Sequence, residues 1–285
     1  MKPKRIAVIG VVLLLGIVAI SMSGGSTDEI QVSAPLATDS AGRMGDIATK
    51  SVFRLILSKQ DRMGTGFLHA SGNILTAAHL VEGADPNDVI ILMADSTRIP
   101  VEKIVADFDA DIAMLTPKMT IKARALPLAV AEHCSVGSQV STWGFPAGYN
   151  GKQPMLSVGY LSGKDVVKSP SGKLVGRFVV NAAFNAGNSG GPLIDIESGS
   201  VIGIVASKLA PIPPHIESAL KALKNDKSIS AFSVKKADGT TEGISNSQVL
   251  ELVLQYLRSQ TQLVVGRAVL TGDIKTFLNN HNAVK

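Results

Sequence analysis

Residues Asn181–Leu193 read NAAFNAGNSGGPL and contain one serine, Ser189, with Gly187 before it and Gly190–Gly191 after it. Glycines at this density let the backbone adopt positive-φ conformations and turn sharply. Such a turn can expose a serine hydroxyl while neighbouring N–H groups converge on one point. Both features are required of a nucleophilic serine that works beside an oxyanion site. This segment alone also fits a glycine-rich turn between strands that carries no chemistry.

The composition favours an all-β domain and argues against nucleic-acid binding. The chain has 285 residues, of which 45% are hydrophobic, only 4% are aromatic and 27 are glycine. This is enough apolar sequence for one large core or two modest ones. The net charge of +5 is spread along the chain without a basic block, so no nucleic-acid surface is expected.

The first 23 residues predict export. Basic residues at positions 2, 4 and 5 precede the apolar run Ile6–Ile20, and small residues follow it. This pattern is typical of a signal peptide, and the run is shorter than the roughly 20 residues of a bilayer span. An uncleaved membrane anchor also fits, and polar residues 24–46 are predicted to be a linker. Because Cys134 is the sole cysteine, no intramolecular disulfide is expected, which favours the bacterial periplasm or cell envelope.

The remaining sequence alternates short β-type runs with turns and ends in helical patterns. Runs recur about every ten residues with Gly, Pro, Asn or Asp between them, as in a barrel or sandwich. The predicted strands are 51–58, 64–69, 74–79, 89–93, 99–105, 111–116, 139–143, 156–163, 176–181 and 200–206. Helices are then predicted over 213–224 and 247–259, with a hairpin around Asp238–Gly239. A strand over 264–270 and a helix capped by Thr271 complete the prediction.

Three segments carry a histidine, an aspartate and a serine in that order. They are TAAHL with His79, DIAML with Asp111 and GNSGGP with Ser189. An imidazole can deprotonate a serine at neutral pH, and a carboxylate can fix the imidazole tautomer. Alone, His79 could be a half-buried structural histidine and Asp111 a turn acid. Asp107 and Asp109 compete for the acid's position, but the apolar strand directly follows Asp111.

These segments resemble the three catalytic segments of trypsin-like serine proteases on the chymotrypsin fold. The similarity is closest to the bacterial HtrA/Deg-type branch, which GTGF at 64–67, GFP at 144–146 and SVGY at 157–160 also resemble. It covers about residues 47–206 and resumes near 266–269. The resemblance implies an all-β, chymotrypsin-like double antiparallel β-barrel of two six-stranded barrels, roughly 47–125 and 126–285. The trypsin-like protease domain would therefore span residues 47–285.

The resemblance also assigns roles to individual residues. Ser189 would be the nucleophile, His79 the general base and acid, and Asp111 the residue that orients His79. The backbone N–H groups of Gly187 and Ser189 would form the oxyanion hole. In this fold the residue six before the nucleophile lies at the base of the primary pocket, and here it is Ala183.

The sequence around that pocket predicts a preference for small or medium aliphatic P1 residues. No acid stands at Ala183 to pair with a buried cation, so a preference for Lys or Arg is disfavoured. Phe184 and the Val205–Ser207 strand, with Val205 and Ser207 at its ends, would supply small apolar walls.

Two features depart from the HtrA pattern. Only 79 residues follow Ala206, and part of them must complete the second barrel, so we expect no PDZ domain. Residues 208–263 are predicted to be a helical insertion late in the second barrel, followed by a C-terminal helix. Packing is the default expectation for the insertion, with gating of the cleft and assembly as alternatives.

The sequence therefore predicts an exported serine endopeptidase that cleaves envelope or unfolded proteins through an acyl-enzyme. Protein or peptide substrates, a possible membrane tether and a possible homo-oligomer follow as partners, and no cofactor is expected. No metal site is expected because His69, His133, His215, His281 and Cys134 lack ligand spacing. A catalytically silent chymotrypsin-fold module for binding or regulation is the alternative.

Overall fold

The computed structural model describes residues 38–130, 134–208, 214–225, 232–235, 241–260 and 265–283. The predicted signal peptide or anchor at residues 1–23 and the first part of the linker lie outside the described residues. Within these ranges, no helix has the length and apolar character that a membrane crossing needs.

The first six strands close into a barrel. Their order around it is β1-β2-β3-β6-β5-β4, with antiparallel neighbours throughout. In β1, Phe53, Leu55 and Leu57 are buried while Arg54 and Ile56 between them are less so, as expected when one face of a strand lines a core. The strands are β1 Val52–Leu57, β2 Arg62–Leu68, β3 Ile74–Thr76, β4 Val89–Leu92, β5 Arg98–Asp107 and β6 Ile112–Pro117.

A second closed barrel follows, and an insertion interrupts it before its last strand. It contains β7 Gln139–Gly144, β8 Met155–Lys168, β9 Leu174–Asn181, β10 Pro192–Asp195 and β11 Val201–Lys208. The insertion holds α2 Pro214–Asn225, β12 Phe232–Lys235, β13 Thr241–Ile244 and α3 Asn246–Gln260, and β14 Gly266–Leu270 then completes the barrel. The barrel order is β10-β11-β14-β9-β8-β7. The helices that flank the barrels are α1 Thr38–Ser51 and the C-terminal α4 Thr271–Asn280.

The described part of the chain thus confirms the predicted fold class, a double six-stranded antiparallel barrel with a late helical insertion. The insertion's hairpin is also confirmed, because β12 and β13 pair antiparallel from Phe232↔Ile244 to Lys235↔Thr241. Its turn, with Asp238–Gly239, lies outside the described residues. α3 begins at a capping box in which Ser245 and Gln248 bond to each other's backbone N–H.

Three local features differ from the sequence prediction. α1, Thr38–Ser51, begins within residues 24–46, which the sequence predicts to be a linker because they are polar and small and include Pro and Gly. β10 was not predicted, because four residues directly after a glycine-rich turn give no visible alternation. Thr271 does not cap α4; its hydroxyl donates instead to the carbonyl of Ile202 on β11.

Apolar packing joins the two barrels. One cluster fills the first barrel and continues to second-barrel residues such as Ile204 and to Ile274, Phe277 and Leu278 of α4. A second cluster, including Leu161, fills the interior of the second barrel. Burial of each such side chain contributes about 1.5–3 kcal/mol. Loops from both barrels are therefore held at fixed positions along their junction.

Candidate active site

His79 and Asp111 lie together at one end of the first barrel. β3 ends at Thr76, and the 3-10 turn Ala78–Leu80 then presents the imidazole of His79, whose side chain is 43% exposed. His79 Nδ1 lies 3.0 Å from both carboxylate oxygens of Asp111, and the His79 backbone N–H donates to Asp111 Oδ1 at 2.9 Å. The carboxylate thus holds both the ring and the backbone of the histidine, which favours the tautomer with the proton on Nδ1.

The backbone of Asp111 is fixed in an unusual conformation. Its φ of +59° is uncommon for a residue with a side chain. Asp107 Oδ1 accepts hydrogen bonds from the N–H groups of Asp109 and Ala110 at 2.9 and 3.0 Å, which closes the turn before it. From β9, Arg177 Nη2 donates to the Ala110 carbonyl at 3.1 Å. The second barrel thus helps to hold the turn that aims the Asp111 carboxylate.

The competing aspartates have other partners. Asp107 closes the turn just described, and Asp109 accepts from the backbone N–H of Ser171 at 3.0 Å and from its hydroxyl at 2.7 Å. Lys173 Nζ lies 3.1 Å from the same carboxylate. The hydrogen bonds from Ser171, with that from Lys173, hold the pKa of Asp109 well below its usual range. The acid that contacts His79 is therefore Asp111, the one that the sequence favoured.

Ser189 lies in the turn before β10, and its hydroxyl does not contact the imidazole. Ser189 Oγ donates to the carbonyl of Ala206 at 3.2 Å. Among the hydrogen bonds of the described residues, none joins Ser189 Oγ to His79. The structure therefore brings His79 and Asp111 together and leaves the serine–histidine hydrogen bond unmade.

The backbone around Gly187 leaves two N–H groups available. The Ala186 carbonyl accepts from Ala147 N at 2.7 Å, and the Ala186–Gly187 peptide is trans. Because the C=O and N–H of a trans peptide point in opposite directions, the N–H of Gly187 faces away from Ala147. Across the described part of the chain, no acceptor takes up the N–H of Gly187 or that of Ser189. These are the two groups that the resemblance to trypsin-like proteases assigns to an oxyanion hole.

A crevice of about 380 Å³ opens beside the His79–Asp111 pair. Arg177 lies at its wall, 5% exposed, and burial lowers its pKa. Nearby, Arg267 pairs with Asp165 of β8 and lowers the pKa of that carboxyl. The residues that line the crevice include His79, Glu82, Phe108, Asp111, Ser169, Arg177, Ala206 and Arg267.

The residues expected to form the primary pocket are mostly internal. Phe184 and Val205 are each 1% exposed and belong to the core of the second barrel. The Ala183 carbonyl accepts from Asn188 Nδ2 at 3.2 Å, which fixes the start of the serine loop. The side chain of Ser207 lies outside the described residues. The assignment of these four residues to a substrate pocket stays a prediction.

Within the described part of the chain, the other residues considered for metal binding form no cluster of ligands. His69 is buried, with Nδ1 3.0 Å from Ser71 Oγ, and burial lowers its pKa. Cys134 is half-buried beside Asp195, so it is less enclosed than a core residue, and burial raises its pKa. In the described ranges, no three His, Cys, Asp or Glu side chains cluster as metal ligands would. His133 lies outside those ranges.

The sequence did not identify the residues outside the three motifs that hold the catalytic segments in place. Thr65 and Arg177 each contact the backbone of a catalytic segment, yet neither belongs to the three motifs. For Thr65, the signal in the sequence is the GTGF segment at 64–67, which resembles the framework of the HtrA/Deg-type branch.

Comparisons with known proteins identify the family to which this domain belongs. Residues 64–204 match the family model of the trypsin-like peptidase domain. Protease Do-like 1, chloroplastic, of Arabidopsis thaliana is 32% identical over 163 residues, which cover 55% of this chain and 35% of that protein. A probable periplasmic serine endoprotease DegP-like of Ectopseudomonas mendocina is 32% identical over 146 residues, or 50% of this chain and 28% of that protein. The chain thus spans about a third or less of the length of these curated relatives.

A solved structure shows the same fold. The active form of the Rv3671c protease from M. tuberculosis aligns with a TM-score of 0.58 at 19% identity, over 94% of this chain and 96% of that chain. Through its residues 64–204, the chain therefore belongs to the trypsin-like peptidases, and its curated relatives are serine proteases of the HtrA/Deg type.

Proposed function

We propose that this chain is an exported serine endopeptidase that hydrolyses peptide bonds through Ser189, His79 and Asp111. The observation that carries the proposal is the pair His79–Asp111, joined at 3.0 Å and facing the crevice at the junction of the barrels. Because Nδ1 is occupied by the carboxylate, Nε2 is left as the basic atom of a neutral imidazole. The serine loop with its two free N–H groups supplies the other half of the chemistry.

The reaction would begin with a rotation of the Ser189 side chain. Its hydroxyl leaves the Ala206 carbonyl and donates to His79 Nε2; catalytic hydrogen bonds often form only in the substrate complex. His79 then takes the hydroxyl proton as Oγ bonds to the substrate carbonyl carbon, whose π electrons move to its oxygen. Asp111 stabilises the imidazolium that develops.

The tetrahedral adduct then collapses to an acyl-enzyme. The backbone N–H groups of Gly187 and Ser189 bind the oxyanion, and this type of donor stabilises the transition state strongly. As the C–N bond breaks, His79 gives its proton to the leaving amine. Water, deprotonated by His79, next attacks the ester, and the Ser189 hydroxyl is regenerated with its proton.

The substrates and location follow from the N-terminus and from the relatives. We infer that the substrates are exposed or unfolded segments of proteins, since an extended peptide fits a crevice that is open to solvent. The basic and apolar residues 1–23 support export, and the DegP-like relative is named as a probable periplasmic protein. The cell envelope of a bacterium is therefore the proposed site of action.

One observation favours the alternative of a silent binding module. The Ser189 hydroxyl donates to the Ala206 carbonyl at 3.2 Å instead of to His79. A module in which this hydrogen bond persists would bind peptides in the crevice without cleaving them.

Cleavage of an unfolded protein separates the two functions. We expect purified wild-type chain to degrade fluorescein-labelled casein and the Ser189→Ala variant to bind it without release of fluorescent peptides. Ser162→Ala is a matched control, because its hydroxyl also donates to a backbone carbonyl, Tyr160 O, at 3.2 Å. Wild type that binds casein with no more turnover than Ser189→Ala would establish the binding module.

A further inference from the structure

Thr65 is a fully buried residue of the first barrel that faces the second barrel. On β2 its neighbour Gly66 lies inside the first barrel, where an added Cβ would meet Ile74 at 2.6 Å. Successive residues of a strand point to opposite faces, so Thr65 points outward. It is nevertheless 0% exposed, because the serine loop and the start of the β7–β8 connection cover it.

Three hydrogen bonds join Thr65 to the second barrel. Its backbone N–H donates to the Ser189 carbonyl at 2.9 Å. Its Oγ1 donates to the Gly187 carbonyl at 2.7 Å and accepts from the backbone N–H of Phe145 at 3.1 Å. The hydroxyl uses its single proton on Gly187, so its donor and acceptor roles are both fixed.

Hydrogen bonds hold both peptide planes that flank Gly187, and one of the two comes directly from Thr65. The plane after Gly187 is held through its carbonyl by the Thr65 hydroxyl. The peptide plane before Gly187 is held by a hydrogen bond from the Ala147 N–H to the Ala186 carbonyl. Ala147 lies two residues after Phe145, whose N–H donates to the Thr65 hydroxyl. Gly187 has a φ of +91° and no side chain to restrain it, so either plane could otherwise rotate and turn its N–H out of position.

The packing around Thr65 leaves little room for another arrangement. A Cβ built on Gly190 would meet the Thr65 carbonyl at 2.1 Å, and one on Gly144 would meet Thr65 Oγ1 at 3.0 Å. Thr76 Oγ1 also donates to that carbonyl at 2.7 Å. The close approach of backbone on two sides keeps the hydroxyl within reach of the serine loop.

We propose that Thr65 is a positioning residue for the oxyanion site: its hydroxyl, contributed by the first barrel, holds the Gly187 N–H in the direction that the transition state requires. The inference rests on the proposed peptidase activity. It predicts a loss of turnover without a matching loss of substrate affinity, because the Gly187 N–H acts on the oxyanion more than on the bound peptide.

The test compares Thr65→Ala with Thr65→Ser, which both lack the Cγ2 methyl and differ in the hydroxyl. With fluorescein-labelled casein, kcat of Thr65→Ala should fall about 10- to 100-fold, below the effect expected for outright loss of an oxyanion donor. KM should change less than about threefold, and Thr65→Ser should keep kcat within about threefold of wild type. Thr65→Cys, with a weak donor of similar size, replaces the Ala variant should that variant not fold.

Thr271→Ala is the control for loss of a buried hydroxyl elsewhere. Its Oγ1 also donates to a strand carbonyl, Ile202 O, away from the serine loop. It should lower the melting temperature without a change in kcat per folded molecule.

Equal kcat in Thr65→Ala and Thr65→Ser, with active wild type, would overturn the role of Thr65 alone. Wild type without turnover would overturn the proposed function and this inference together.

Discussion

The role of each aspartate at this site follows from the groups to which its carboxylate is hydrogen-bonded. The Asp107 carboxylate accepts a hydrogen bond within the turn before Asp111, and that of Asp109 accepts from Ser171. The Asp111 carboxylate, in contrast, contacts His79. Sequence alone could rank the three acids only by their distance from the following strand. The hydrogen bonds now give a physical reason for the choice.

Replacement of Asp111 by asparagine should lower kcat by about 10³–10⁴-fold. An amide in that position favours the wrong histidine tautomer and cannot stabilise the imidazolium. Asp107→Asn is the matched control, because an asparagine oxygen can still accept from the Asp109 and Ala110 N–H groups. Steady-state cleavage of labelled casein measures both, and a comparable loss in the two variants would contradict the assignment of Asp111.

Other residues at this scale could not have been inferred from sequence. The hydrogen bond from Thr65 to the Gly187 carbonyl joins residues 122 positions apart, and no local pattern encodes it. The rotamer of Ser189 is likewise a product of tertiary contacts, since its acceptor Ala206 lies on β11. The motifs identify the reacting groups, and the fold identifies the groups that aim them.

At the scale of elements, two loops of the second barrel that contact the first barrel shape the site. The β7–β8 connection contacts the serine loop through Ala147, and Arg54 of β1 supports it with two hydrogen bonds at 2.9 Å to the Tyr149 and Gly151 carbonyls. The β8–β9 hairpin contacts the Asp107–Asp111 turn through Ser171 and Arg177. Each proposed catalytic loop is thus held partly by the opposite barrel.

The serine loop should not tolerate a side chain at Gly187. A Cβ there would lie 2.3 Å from the Phe145 carbonyl and would also strain a φ of +91°, so Gly187→Ala should displace the loop and lower kcat about 10²–10³-fold. Gly148→Ala is a control with similar strain, φ +83°, and open space around the added carbon. It should cost about 1–2 kcal/mol of stability and keep kcat within about threefold. Similar turnover in both variants, measured per folded molecule, would count against the proposed loop geometry.

The contact between Asp109 and the β8–β9 hairpin should stabilise the fold in a pH-dependent way. The pKa of Asp109 in the folded chain is lowered, chiefly by hydrogen bonds from Ser171, so its contribution is present above the unfolded pKa of about 3.9 and is lost as pH falls through the lower folded value. Urea midpoints of wild type and Asp109→Asn should therefore differ at pH 7, and this difference should shrink progressively as pH falls below about 4. Glu102→Gln, at an exposed site on β5, is the control. A difference that stays constant between pH 7 and pH 2 would refute the contribution of the Asp109 carboxylate.

Helices and strands were predicted well where a run of several residues showed the hydrophobic periodicity of its secondary structure. Strands such as β1 and β6 and both insertion helices lie within a few residues of the predicted positions. The prediction failed at β10, which has only four residues after a turn, and at Thr271, whose hydroxyl prefers a carbonyl on β11. In both cases tertiary pairing, which a local pattern cannot show, decided the outcome.

For the whole molecule, the pattern of short strands was compatible with either a sandwich or a barrel. The resemblance of three short motifs selected the double barrel, which the strand pairing confirms. A shared apolar cluster that includes α4 joins the barrels, so segments far apart in sequence meet along one crevice. The central claim is that Ser189 becomes a nucleophile there with His79 as its base.

Active-site labelling tests this claim most directly. Wild-type chain, Ser189→Ala and His79→Ala are incubated with a fluorophosphonate, which reacts with activated serines, and the modified residue is identified by mass spectrometry. The account predicts one phosphonyl group on Ser189 in wild type, none in Ser189→Ala and much slower reaction in His79→Ala. Wild type that stays unlabelled, or that carries the label on another residue, would contradict the account.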